Sequence, residues 1–189
     1  MKVKVVVFSV FLLATVSLFG QENESKKESN EAIKYSNITE FGFFATSPRS
    51  LGYEATTVNG FSIDQKHCFG IGLGFGYIWG FSGDYFYLHT PVYVNYRLYF
   101  SPEKSFSPHL NIALGGVMIT EGAGIYSALT MGFKAKRFSF SSGFSFMAIE
   151  EKRETTVYEH TDWNSHTYRK EIKEWQYPFG IVLKCGFTF

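Results

Sequence analysis

After residue 20 no apolar run is long enough to cross a bilayer as a helix, so a helical membrane protein is excluded. Neither sign of charge dominates: 18 basic residues stand against 17 acidic ones, and nothing points to a nucleic-acid partner. Cysteine is limited to Cys68 and Cys185, an even count that raises the question of a disulfide in an oxidising compartment. Aromatic residues, by contrast, make up 19% of the chain and glycines number 18, a composition that favours β-structure over helix.

The first twenty residues carry Lys2 and Lys4 and then an apolar run from Val5 to Phe19, which reads as a secretory signal peptide over 1–20 with cleavage after Gly20. No cysteine follows the run, so a lipid anchor is not expected. Removing Lys2 and Lys4 leaves 16 basic residues against 17 acidic, a nearly neutral mature chain. Residues 21–37 are polar and mixed in charge and read as a flexible periplasmic leader, with the folded domain at 38–189.

The folded domain is written in a period of two. From Trp175 to Phe189 every odd residue is apolar (Trp175, Tyr177, Phe179, Ile181, Leu183, Cys185, Phe187, Phe189), while the even ones are small or polar and include Lys184. Strand side chains alternate between faces, so this segment presents one apolar face and one crowded polar face. Phe69 to Phe81 repeats the pattern, with Gly70, Gly72, Gly74, Gly76 and Gly80 on its even face. After a Ser82-Gly83 turn the apolar set moves to even numbers, Phe86 to Phe100, and the odd face carries Tyr85, Tyr87, His89, Tyr93 and Arg97. A two-residue turn demands that switch, and it places Gly72 opposite Tyr93.

The same alternation continues at Leu110 to Met118, Ile125 to Phe133 and Phe138 to Phe146. Two weaker strands, Thr39 to Ser47 and Ser50 to Ile63, flank Pro48-Arg49 and bring the total to eight. Eight tilted antiparallel strands close into an all-β up-and-down transmembrane barrel, and closure removes the unpaired edges that lipid cannot satisfy. The alternative, a soluble lipocalin-like barrel with its apolar face inward, would leave a poor exterior of glycine, tyrosine and charge. In this strand order Cys68 and Cys185 sit three strands apart, roughly 14 Å at about 4.8 Å per strand, and are expected to be unpaired.

The signal peptide, the glycine-aromatic strand Gly70 to Gly80, the strand Pro91 to Phe100 and the ending Gly186-Phe187-Thr188-Phe189 together resemble the outer-membrane protein β-barrel domain family, in particular its small OmpX-like and OmpA-like barrels. The resemblance implies a multi-pass barrel in the cell outer membrane with both termini periplasmic. Membrane lipid and the barrel-assembly machinery are its implied partners, and Phe187 and Phe189 its assembly signal. Lys184 occupies that signal's usual upstream glycine position.

Function is less legible. Glu40, Arg97, Lys134 and Lys184 fall on the non-apolar face near the periplasmic end and are expected to form a lumen ion network, with Glu40 paired to Lys184 or Arg97. Such pairs plug the lumen. The connection from Glu150 to Lys170 reads as a protruding outer hairpin, with Tyr158, His160, Trp163 and Tyr168 as candidates for contact with an extracellular protein partner. His160, Asp162, Ser165 and His166 lack a framework to orient metal ligands or a triad. No catalytic residue, metal or cofactor is therefore expected. A structural or surface-interaction role leads, a narrow pore or solute conduit follows, and a lipid-modifying enzyme is third.

Overall fold

The computed structural model describes residues 33–47, 50–80, 86–120, 122–161 and 164–189. The expected signal peptide and most of the expected leader lie outside these residues, as do Pro48-Arg49, Ser82-Gly83 and Trp163. The chain forms β1 (Ile33–Ser47), β2 (Ser50–Ile63), β3 (His67–Gly80), β4 (Phe86–Tyr99), β5 (Phe106–Ile119), β6 (Gly122–Ala135), β7 (Phe138–Thr161), β8 (Asn164–Gln176) and β9 (Phe179–Thr188). β1 to β7 pair in sequence order, β7 then pairs β9, and β9 pairs β1, which closes the sheet.

Nine segments make eight barrel strands. β8 and β9 lie against β7 in one unbroken register, Ile149 opposite Gln176 and Phe146 opposite Phe179. The gap between them falls at Tyr177-Pro178, because proline has no N–H to give the ladder. Its carbonyl still accepts from the Met147 N–H at 2.9 Å. Pro91 does the same inside β4, where the pairing to β3 skips from Leu73–Val92 to Gly76–His89 without a change of register.

β1 starts at Ile33, so the end of the segment assigned to the leader, Ile33 to Asn37, is strand. These residues hydrogen-bond along the start of the barrel, Ile33 opposite Ile63 and Asn37 opposite Asn59. The strands also run past the alternating stretches read from the sequence: β3 begins at His67, β5 at Phe106, and β6 extends through Ala135. Asp64 and Gln65 both adopt positive φ, 50° and 54°, the conformation that primed hairpin turns need at their central positions.

Parity survives all the way round. Ile71, Val94, Leu114, Met131, Phe144 and Ile181 are exposed on the outer surface, while their chain neighbours face inward. The outer surface carries Phe, Leu, Ile and Val; the buried side holds Ser, Thr, Asn, His and charge beside an apolar cluster that includes Ile38, Phe44, Val58 and Val182. Buried charge inside and large exposed apolar side chains outside invert a water-soluble fold, and such an exterior is the surface of a membrane-spanning barrel. The exterior rings stack along the surface, Phe61 on Phe69, Phe106 on Phe133 and Phe144 on Phe179, with centroids 5.0 to 5.9 Å apart. Cys68 is buried and Cys185 exposed, on strands β3 and β9, and both are free thiols.

Gly72 is directly opposite Tyr93, as the sequence register requires. A Cβ at Gly72 would come within 2.2 Å of the Tyr93 ring, so the missing side chain is the space the tyrosine occupies. Overpacking of this kind costs about 1–3 kcal/mol. Gly72→Val is expected to lower the unfolding free energy of the barrel, measured in urea, by that amount, and Tyr93→Ala added to it should return part of the loss. Strictly additive costs would show that the two residues do not share this space.

Candidate functional site in the barrel lumen

One rung of the sheet organises the interior. His89 on β4 is opposite Gly76 on β3, Gly76 is opposite Glu54 on β2, Glu54 is opposite Gly42 on β1, and Gly42 is opposite Lys184 on β9. Charged or polar side chains thus alternate with glycines across five strands. The glycines let the flanking side chains reach over them: a Cβ on Gly42 would lie 3.2 Å from Glu54 Cγ and 3.3 Å from Lys184 Cγ. Glu54 is the hub. Lys184 Nζ donates to its Oε1 at 2.7 Å, Tyr126 Oη donates to the same oxygen at 3.3 Å, and His89 Nε2 lies 3.4 Å from its Oε2. All four side chains are buried, and the His89 ring meets Phe44 edge-on at 5.5 Å.

A second cluster lies beside the first. Arg97 Nη2 donates to Glu40 Oε1 at 2.5 Å, and its Nε donates to Asn111 Oδ1 at 3.3 Å. Asn95 donates to the same Asn111 oxygen at 2.8 Å, and Asn111 passes its own Nδ2 to Thr130 Oγ1 at 3.4 Å. The chain of bonds therefore runs across β1, β4, β5 and β6. Low dielectric strengthens each bond and makes each unpaired partner costly.

Of the four charges the sequence places in the lumen, Glu40 and Arg97 form one pair. Lys184 goes to Glu54 rather than Glu40, because its own rung crosses Gly42 to reach Glu54, whereas Glu40 stands one rung away, opposite Gly186. Lys134 meets no carboxylate among the described residues; its ammonium sits 5.2 Å from the centre of the Tyr99 ring. Glu54 was not singled out from the sequence. Its signal was available: in Ser50–Ile63 it shares the even face with Gly52, Thr56 and Gly60. Tyr126, His109 and Asn111 were missed for the same reason, their strands having been read from their apolar faces alone.

The proposed outer hairpin is a paired ribbon. β7 and β8 stay in register from Lys152–Lys173 out to Thr161–Asn164, beyond the last β6–β7 pair at Gly122–Glu151. Tyr158 and His160 lie on β7 and Tyr168 on β8. At the ribbon's base Lys173 Nζ is 3.2 Å from Glu150 Oε1, diagonal to the rung Lys173 shares with Lys152. Among the described residues no three His, Cys, Asp or Glu side chains are grouped to hold a metal ion.

No protein-family model matches this chain, and no curated protein does. Among solved structures it is similar to the crystal structure of the N-terminal β-barrel domain of Pseudomonas aeruginosa OprF, at 9% sequence identity and a TM-score of 0.46, covering 82% of this chain and 97% of that one. The eight-strand closure and the inverted surface described above stand independently of that likeness.

Proposed function

We propose that this protein is a non-enzymatic barrel of the cell outer membrane, with both termini periplasmic, whose plugged lumen serves as a rigid mount for the β7–β8 ribbon as a surface-contact element. The observation that carries this reading is the continued pairing of β7 and β8 from Lys152–Lys173 to Thr161–Asn164, past the point where every other strand has ended. Among the described residues both outer edges of that stretch lack a strand partner, leaving backbone groups open to strand addition by another protein. Turn length supports that orientation: the short turns at 64–66, 100–105 and 136–137 share an end with Ile33 and Thr188, and the ribbon leaves from the opposite end. Trp175, half exposed beside the Glu150–Lys173 pair, marks where the apolar exterior gives way to charge.

A narrow conduit is the second reading, favoured by one observation. Glu54 faces both Lys184 and His89, so rearranging one contact would alter the obstruction without unfolding a strand. Fractionation of the outer membrane, electrophoresis with and without boiling, and single-channel recording in planar bilayers test these readings together. A membrane-fraction protein with heat-dependent mobility and no stable conductance is expected. Recovery in the soluble fraction would sink the membrane reading, and steady openings would replace the plug with the conduit.

A further inference from the structure

We infer that the lumen mouth on the side of the chain ends is a binding site for a small oxyanion, a phosphate or carboxylate group. Four adjacent strands bring the groups there. Tyr99 is the last residue of β4 and lies opposite His109 on β5, and Lys134 on β6 lies opposite Ser107 on one side and Ser139 on the other. Tyr99 is the centre of the group, with its ring 5.5 Å from that of His109 and 5.2 Å from the Lys134 ammonium. Arg97 sits one rung deeper, and both Arg97 and Lys134 are within electrostatic reach of His109.

Donors outnumber acceptors here, because Arg97 and Lys134 only donate while Tyr99, His109 and Ser139 can do either. Both ring nitrogens of His109 and Ser139 Oγ are buried and complete no hydrogen bond, while Tyr99 Oη and Arg97 have only each other in reach on this side. His109 is 1% exposed and Arg97 fully enclosed. A buried polar group without a partner costs about 1–3 kcal/mol, so three such atoms beside the Lys134 ammonium and the Tyr99 hydroxyl form an arrangement that an anion stabilises. Arg97 is neutralised by Glu40, but Lys134 has no carboxylate within 4 Å among the described residues. The rim repeats the sign: Lys34, Lys66, Lys104, Lys136 and Arg137 are exposed around this mouth against Asp64 and Glu103. A mouth of one sign draws in ions of the other.

The site borders the Glu40–Arg97 pair, whose charges already balance, and its uncompensated cation is Lys134. The test uses the full mature chain folded in sugar-headgroup detergent, which carries no phosphate, with the His109 ring resonances followed by NMR as inorganic phosphate is added. A saturable shift is expected, with affinity falling about tenfold or more in Lys134→Gln, since a hydrogen bond to a charged group is worth about 1.5–3 kcal/mol. Tyr99→Phe should weaken it less, and Lys136→Gln, on the rim, least. Heat-dependent mobility of each variant verifies that it is folded. The same titration in phosphatidylglycerol bicelles separates the sources. A His109 signal already shifted and deaf to added phosphate identifies a lipid headgroup; an unchanged titration identifies a soluble ion. No saturable shift in either medium, or equal affinity in Lys134→Gln, overturns the inference.

Discussion

Replacing Glu54 with glutamine is expected to destabilise the barrel by about 3–5 kcal/mol, the cost of leaving a buried partner charge uncompensated. Lys184 would lose its carboxylate at 2.7 Å while remaining buried beside Gly42 on the lumen side, and His89 would lose its only carboxylate contact among the described residues. Most of that cost is the stranded ammonium, not the value of the ion pair itself. Lys184→Met in the Glu54→Gln background should therefore recover most of the loss, although Lys184→Met alone strands Glu54 and is also costly. Urea unfolding of the protein in lipid vesicles, followed by tryptophan fluorescence, gives the four corners of the cycle. Equal and additive penalties would show that the two charges do not depend on each other.

The second large effect lies on the opposite face. Leu129 is outward-facing at the middle of β6, in a rung with Ile112 and Phe144, and Leu129→Arg should cost about 2–4 kcal/mol if lipid surrounds it. Phe138→Arg, at the end of β7 and more exposed than Leu129, should cost about 0–1 kcal/mol because an arginine there reaches the interface. The contrast between depths is the informative quantity. In water an exposed substitution at either site would stay within about 0.5 kcal/mol, so two small and similar values in the same vesicle assay would argue against a membrane setting.

Much of this architecture is legible in the chain because alternation carries it. A residue's parity decides inside or outside, and each turn length decides whether the next strand keeps or switches that parity. Gly72 opposite Tyr93 follows from those two facts alone. Height does not. Which inward residues meet depends on the stagger that accumulates around a closed, sheared sheet, and no single hairpin reveals it. Parity alone therefore leaves Glu40 to either Lys184 or Arg97; the stagger gives it to Arg97, and the rung of Lys184 leads across Gly42 to Glu54. The early start of β1 was hidden for a different reason: Lys34, Ser36 and Asn37 look like a polar leader until Ile33 and Tyr35 are seen to alternate with Lys34 and Ser36 on the outward face.

β7 runs 24 residues without interruption from the turn at one end of the barrel to the ribbon tip. At about 3.4 Å per residue that is roughly 80 Å of strand, and with a tilt near 45° it rises about 55 Å, against about 40–45 Å for a bilayer with its headgroups. The ribbon is thus a mast stepped through the hull: its foot is locked in the sheet on both sides, while only its upper part stands clear. A large macromolecule approaching that face would meet the mast before the ends of β1, β3 and β5 at Ser47, Gly80 and Ile119. Reach, set by the length of one strand, decides which part of the surface makes first contact.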